Sequence, residues 1–365
     1  MPAMLPNDTA AALMLSLLAY LPEISHGGYR FVGEFLDSYC LMPPASRPRT
    51  MFNGLCRDEC SGVAELISCL RQRPEIRDLR IVCDSRSEDR YNCFCAVKQT
   101  GEQAEVFVVF GGNYRIGDYT SAYGRISTWR DNLVGAYDSG TPEQRAALVF
   151  YDRALAAARA FLPKGTACSV TVTGHSKGGN AAQYVTVFRD SVDRCISFDG
   201  QGFSERFMRR HRKRAERAGG RIVSILPSRS IVGASMLPIP GAQRIYLKAE
   251  LKGRTSALYC HIPVSMADEI GRLRPQAGRS SLLTRTVELL SVGAVRTAEK
   301  VGFINTRRGL LHLGAALQYI FNDNIRRGLA ELLSADALAL LAIAVLRLPA
   351  DVIRAIFRRS QRQNH

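Results

Sequence analysis

The run Ser169-Val-Thr-Val-Thr173, followed at once by Gly174-His175-Ser176-Lys177-Gly178-Gly179-Asn180-Ala181-Ala182, decides the reading of this chain. A β-branched stretch of strand length leads into Gly-x-Ser-x-Gly, and a helical pattern from Lys177 to about Arg189 leads out. Glycines two residues either side of a serine suit a sharp, strained strand-to-helix turn, where larger residues would collide with strand or helix. Such a turn lifts the Ser176 hydroxyl above the sheet edge. It also sets the Lys177 N–H at the positive end of a helix, where an oxyanion can be held. The bare pentapeptide arises by chance about 0.1 times in a chain of this length, so its strand and helix carry the weight. A tight turn without chemistry is the plain alternative.

Outward from this motif, strands alternate with helices. Leu79–Cys83, Cys93–Val97 and Glu105–Phe110 read as strands, the last two joined by a turn over Gln99–Gln103. Residues 142–162 predict a long helix, with Thr141 as N-cap, Pro142 in its first position and Gly165 beyond its end. Arg194–Phe198, Arg221–Leu226 and Arg244–Lys248 are further strands, and residues 8–21 and 60–73 have helical apolar spacing. The expected class is α/β, with βαβ units and a mainly parallel sheet. From about residue 265 onward only helical patterns are visible. The chain therefore divides into an α/β domain over 1–270 and a basic helical region over 271–365, with the boundary near 270–282.

A nucleophilic serine needs a base held by a carboxylate, in the chain order Ser, acid, His for this architecture. Of six histidines, His26 and His175 precede Ser176. His211 lies among arginines and His365 ends the chain. His312 sits in the helical stretch Leu310–Gly314, where a helix-face role is the natural one. His261, between Ala257-Leu-Tyr-Cys260 and Ile262-Pro263, has a strand-end or loop setting and is the candidate base. Asp199 closes the strand Cys195–Phe198 and is the candidate acid, since α/β sheets place their chemistry at the carboxyl ends of strands. An Asp-Gly turn is its plain alternative. Asp193, Glu205 and Asp268 are weaker candidates. Gly111-Gly112-Asn113 follows the strand Val106–Phe110, and its glycines would let backbone approach a ligand closely. An N–H from Asn113 is the expected second oxyanion donor beside Lys177. Trp129, the single tryptophan, reads as a core anchor.

These residues resemble the α/β-hydrolases of the fungal-lipase-like (class three lipase) group, and more closely a bacterial lipase-like family of uncharacterised function. The elbow Gly174–Asn180 is the most specific piece. Phe198-Asp-Gly-Gln-Gly-Phe203, Pro227-Ser-Arg-Ser-Ile-Val-Gly233 and the opening stretch Leu13–Tyr20 complete the resemblance, which spans roughly residues 8–270. It implies an α/β-hydrolase fold and serine-dependent hydrolysis of an ester, lipid-like, with no metal or other cofactor. Two departures stand out. Class three lipases carry Arg-Gly-Thr at the oxyanion loop, where this chain has Gly111-Gly112-Asn113. They also carry an acid where this chain has Ser230, which moves the expected acid to Asp199 on the preceding strand.

The rest of the composition sets the surroundings. The 365 residues are 46% apolar, enough for a large core, and 49 Lys and Arg against 33 Asp and Glu leave a formal +16. The excess favours anionic partners. Residues 271–365 hold 15 Arg/Lys and 6 Asp/Glu, a difference of +9. The densest run, Arg206 to Arg221, reads as a solvated helix face. The basic tail, with Ala337–Leu346 its longest apolar run, reads first as a packed helical cap; the alternative is a catalytically weakened hydrolase scaffold whose basic helical region binds an anionic membrane or a protein partner. No zinc-finger, helix-turn-helix or aromatic RNA motif accompanies the charge, so nucleic acid is not expected as a partner. Ten cysteines occur without an export signal, giving an expectation of reduced thiols and a cytoplasmic protein, peripheral to membrane at most. Cys56-x3-Cys60 and Cys93-x-Cys95 lack a nearby His and read as structural rather than metal-binding.

Overall fold

Alternation of apolar side chains organises the sheet and gives it two covered faces. The computed structural model describes residues 9–21, 24, 27–43, 63–85, 92–112, 132–135, 137–288, 291, 293, 307–313 and 325–342. Seven strands lie in sequence order: β1 (Arg80–Asp84), β2 (Cys93–Thr100), β3 (Gln103–Phe110), β4 (Ala167–His175), β5 (Arg194–Phe198), β6 (Ile222–Pro227) and β7 (Gln243–Leu247). The first three form an antiparallel meander, with Phe94 opposite Val109 and Val97 opposite Val106. From β3 onward every pairing is parallel, Val106 beside Val170 and Gly174 beside Ser197. The class is α/β, and all seven strands fall where the sequence places them, to within a few residues at their ends.

Even and odd positions go to different cores. Phe94, Ala96, Phe107, Val109, Ile196, Phe198 and Ile225 pack against α1 (Thr9–Leu18), α2 (Val32–Leu41) and α3 (Val63–Leu70). Cys93, Cys95, Val97, Val106, Val108, Phe110, Val170, Val172 and Cys195 pack against α4 (Pro142–Phe161), α5 (Lys177–Phe188) and α6 (Glu205–Gly219). Parallel strands covered on both sides favour apolar residues at nearly every position, which is why β3 ends in the continuous run Val106–Phe110. Helix α1 is buried almost all round, as expected of a helix apolar on every side.

Two features fix the ends of α4. The Thr141 side chain accepts from Gln144 N–H, and the Gln144 side chain accepts from Thr141 N–H at 2.9 Å, a reciprocal cap with Pro142 in the first position. Gly165, with φ +92°, turns the chain toward β4.

The helical expectation from residue 265 onward fails over 267–281. Gly271 and Gly278 have positive φ and Pro275 interrupts any helix, so this stretch runs irregularly instead. Part of it lies along β7, with Lys248 N–H donating to Pro275 O at 2.9 Å and Ala277 N–H to Tyr246 O at 2.7 Å. Helices follow at 282–288, 307–313, α7 (Ile325–Leu332) and 335–342. Leu310 and Leu340 seat the helices at 307–313 and 335–342 against Leu133 and Tyr137. Among the described residues no helix is long and apolar enough to cross a membrane.

Candidate active site

The strand-to-helix turn has the backbone the motif demands. Ser176 has φ 56° and ψ −119°, a conformation that costs an L-residue on the order of 1–3 kcal/mol. Its surroundings enforce it. A Cβ at Gly178 would overlap the carbonyl oxygen of Phe110, the last residue of β3, so the helix can pass that strand only with glycine there. The Ser176 N–H donates to Phe198 O at 2.9 Å, which pins the turn to β5.

Three sequence-predicted side chains meet at this turn. Ser176 Oγ lies 3.1 Å from His261 Nε2, and His261 Nδ1 lies 2.6 Å from Asp199 Oδ2. Asp199 follows β5 directly, has φ 45° and is fully buried. Its other oxygen, Oδ1, accepts from the Ser230 hydroxyl and from Gly233 N–H at 3.1 Å. A buried carboxylate needs such donors, and Asp199 has them on both oxygens. His261 caps the one-turn helix Ala257–Cys260 rather than ending a strand, because Pro263 starts a separate turn just beyond it. Ser230 lies in the loop three residues after β6, beside Asp199 because β5 and β6 are neighbours. The position where the resemblance expects an acid thus holds a hydroxyl bonded to the acid next door.

The other candidates are placed elsewhere. Asp193 Oδ2 accepts from Val170 N–H at 2.7 Å, and Asp268 Oδ1 from the N–H groups of Ile270 and Arg272. Glu205 opens α6. His312 bonds Glu331 at 2.6 Å between two C-terminal helices. His211 sits on α6 against Phe188 and Phe207, and burial, followed by Arg210, lowers its pKa. Cys93 and Cys95 are buried strand residues. Asn113, Trp129, Cys56, Cys60, His26, His365 and the tail from 343 onward lie outside the described residues.

Several contacts around the site are not visible in the sequence. The Lys177 side chain pairs with Glu143 at 3.3 Å, both almost fully buried. Gln144 Nε2–H donates to Asn180 Oδ1 at 2.8 Å. The Tyr20 hydroxyl lies 2.7 Å from His175 Nδ1, and a Cβ at Gly112 would overlap that hydroxyl. Gly112 therefore admits the phenol, where its sequence context suggested approach by a ligand. Burial, followed by the Asp199 charge, raises the Tyr20 pKa well above the ordinary phenol range. Burial and then the neighbouring His261 hold His175 well below the ordinary imidazole range, so His175 is neutral. Its ring centroid is 4.8 Å from that of His261.

A family model described as Mbeg1-like matches residues 76–259, just over half of the chain and all seven strands. The chain belongs to the Mbeg1-like family. This is a lipase-like family, and the matched span holds Ser176, Asp199 and Ser230 but stops two residues before His261. No curated protein matches the Mbeg1-like chain. Among solved structures it is similar to the Rhizomucor miehei lipase propeptide complex, at 12% identity and TM-score 0.34, covering 73% of this chain and 81% of that one. It is also similar to M37 lipase, at 12% identity and TM-score 0.34, covering 88% of this chain and 99% of that one.

Proposed function

We propose that this Mbeg1-like chain is a serine hydrolase of the α/β-hydrolase superfamily that cleaves an ester, lipid-like, through an acyl-enzyme. The observation that carries the reading is the continuous relay from Ser176 Oγ through both nitrogens of His261 to Asp199, at 3.1 and 2.6 Å. In this reading His261 Nε2 takes the Ser176 proton as Oγ attacks the carbonyl carbon. Asp199 holds the Nδ1–H tautomer and stabilises the imidazolium that forms. The Lys177 N–H, with Asn113 N–H as second donor, receives the oxyanion. Collapse expels the alcohol, which takes its proton from His261, and water activated by the same nitrogen releases the acid and restores Ser176. No cofactor enters these steps.

Labelling with a fluorophosphonate, followed by peptide mapping, tests it. Modification of Ser176, lost in His261→Ala, is the expected result. Unlabelled folded protein overturns it.

A second reading rests on a different observation. Leu329 and Leu333 are 50% and 68% exposed on and just beyond α7, which also exposes Arg326 and Arg327. Leucines beside arginines on a helical surface suit anionic lipid, and this reading places the protein in the cytoplasm, at the periphery of a membrane. Its extreme form is a catalytically weakened hydrolase scaffold docked there. Sedimentation with anionic vesicles, lost in full-length protein carrying Arg326→Glu, Arg327→Glu and Leu333→Ser, is the outcome it requires.

A further inference from the structure

The opening turn of α4 carries two buried polar side chains that reach the elbow helix, Glu143 and Gln144, with Thr141 buried at the cap. Burying such groups is costly unless each finds a partner, and here each does. Their hydrogen bonds form a chain whose direction is fixed at every step. Thr141 N–H can only donate, so it meets Gln144 Oε1 at 2.9 Å. That leaves Gln144 Nε2 to donate to Asn180 Oδ1 at 2.8 Å. Asn180 Nδ2 then donates to two main-chain carbonyls, Gln201 O at 3.0 Å and Gly202 O at 3.1 Å. No amide in the chain can flip without setting oxygen against oxygen.

The chain ends at the loop that presents the acid. Gln201 and Gly202 are the second and third residues after Asp199, which itself has the left-handed φ of 45°. A strained residue at a strand end holds its position only where its surroundings over-determine it. Asn180 supplies that hold from one turn into α5, four residues after Ser176. One side chain thus ties the helix bearing the nucleophile to the loop bearing the acid. The helical position itself gives no reason for an asparagine, which is a poorer helix former than alanine.

We propose that Asn180 is a positioning residue for Asp199, with Gln144 as its support, in the hydrolysis assigned above; the inference rests on that reading. Neither residue touches the reacting atoms. They act by keeping the carboxylate within hydrogen-bonding distance of His261, where small displacements cost large factors in rate.

Asn180→Asp tests it in the full-length chain. Aspartate keeps the size and the oxygen that Gln144 approaches, and replaces the two donated hydrogens by an acceptor facing two carbonyls. The readout is fluorophosphonate labelling of Ser176, resolved into inactivation rate and apparent affinity, well below the unfolding temperature of each variant. The expected result is a 10- to 100-fold slower inactivation with affinity changed less than about threefold. In an Asp199→Asn background the same substitution should slow labelling no further, because the group it positions is already lost. Gln144→Glu, which keeps the cap and loses the donor to Asn180, should give a smaller loss of the same kind, and it carries the test if Asn180→Asp does not fold. If wild-type Ser176 is not labelled, the hydrolase reading falls and the inference with it. If wild-type labels and Asn180→Asp labels at the same rate, or if its loss adds in full to that of Asp199→Asn, the inference alone is overturned.

Discussion

Ser230, in the loop after β6, donates its hydroxyl hydrogen to Asp199 Oδ1, just beyond the end of β5. Both residues are fully buried, and Gly233 N–H reaches the same oxygen at 3.1 Å. The carboxylate therefore spends one oxygen on His261 and the other on the loop after β6. A hydroxyl at 230 suits a neighbouring carboxylate at 199, since a second carboxylate there would confront the first where both are fully buried.

Ser230→Ala removes that donor and leaves the buried carboxylate oxygen to the Gly233 N–H. A lost hydrogen bond to a buried charged group costs about 1–3 kcal/mol. We expect the thermal transition to fall accordingly and Ser176 labelling to slow by about tenfold. Ser230→Asp should be worse on both measures. Labelling unchanged in Ser230→Ala would show that Asp199 is held without it.

Ser176→Gly separates the strain of the elbow from its chemistry. The φ of 56° and ψ of −119° at Ser176 are open to glycine at little cost, whereas alanine keeps the penalty. We expect Ser176→Gly to be more stable than Ser176→Ala by about 1 kcal/mol in denaturant unfolding, with both variants inert to fluorophosphonate. Equal stabilities would mean the turn stores no strain.

The elbow turn, its strand and helix, and the meeting of Asp199 and His261 with Ser176 are legible because each has a local signature: glycine spacing, a β-branched run, a strand end followed by Asp-Gly, a histidine before proline. What escaped the sequence is contact at long range between residues with no motif of their own. Tyr20 meets His175 across 155 positions, and Gln144 meets Asn180 across 36. Gly112 shows the limit well. Its need for close approach could be read from the sequence, but the group that approaches, a phenol carried on the turn after α1, could not. The stretch 267–281 was misread because apolar spacing outweighed Gly271, Pro275 and Gly278, which the chain uses to turn along β7.

Gly112→Ala should therefore act through Tyr20. The added methyl would overlap the phenol oxygen and sit 2.5 Å from the Tyr20 Cζ. Protein with Gly112→Ala alone should lose about 1–3 kcal/mol of stability by overpacking. Combining it with Tyr20→Phe removes the nearest clash but leaves the ring, so partial recovery is expected. A double-mutant cycle on unfolding free energies checks this, with coupling above about 0.5 kcal/mol as the expected result. Strict additivity would place the two residues apart.

His175 gives the protein a pH dependence of known sign. Burial, and then the adjacent His261, hold its folded-state pKa well below the ordinary value of about 6.5 that it has in the unfolded chain. Above that ordinary value neither state binds the proton and His175 costs nothing. Below it the unfolded chain takes up a proton that the folded protein refuses, so stability falls by up to about 1.4 kcal/mol for each pH unit. The loss continues until pH reaches the depressed folded-state value. His175→Gln cannot titrate, and its amide can still bond the Tyr20 hydroxyl. Denaturant unfolding of both proteins between pH 7.5 and 5 should show the wild type losing stability more steeply by about that slope. Parallel curves would mean that His175 becomes charged in the folded protein with no penalty, and that the buried Tyr20–His175 contact tolerates an imidazolium.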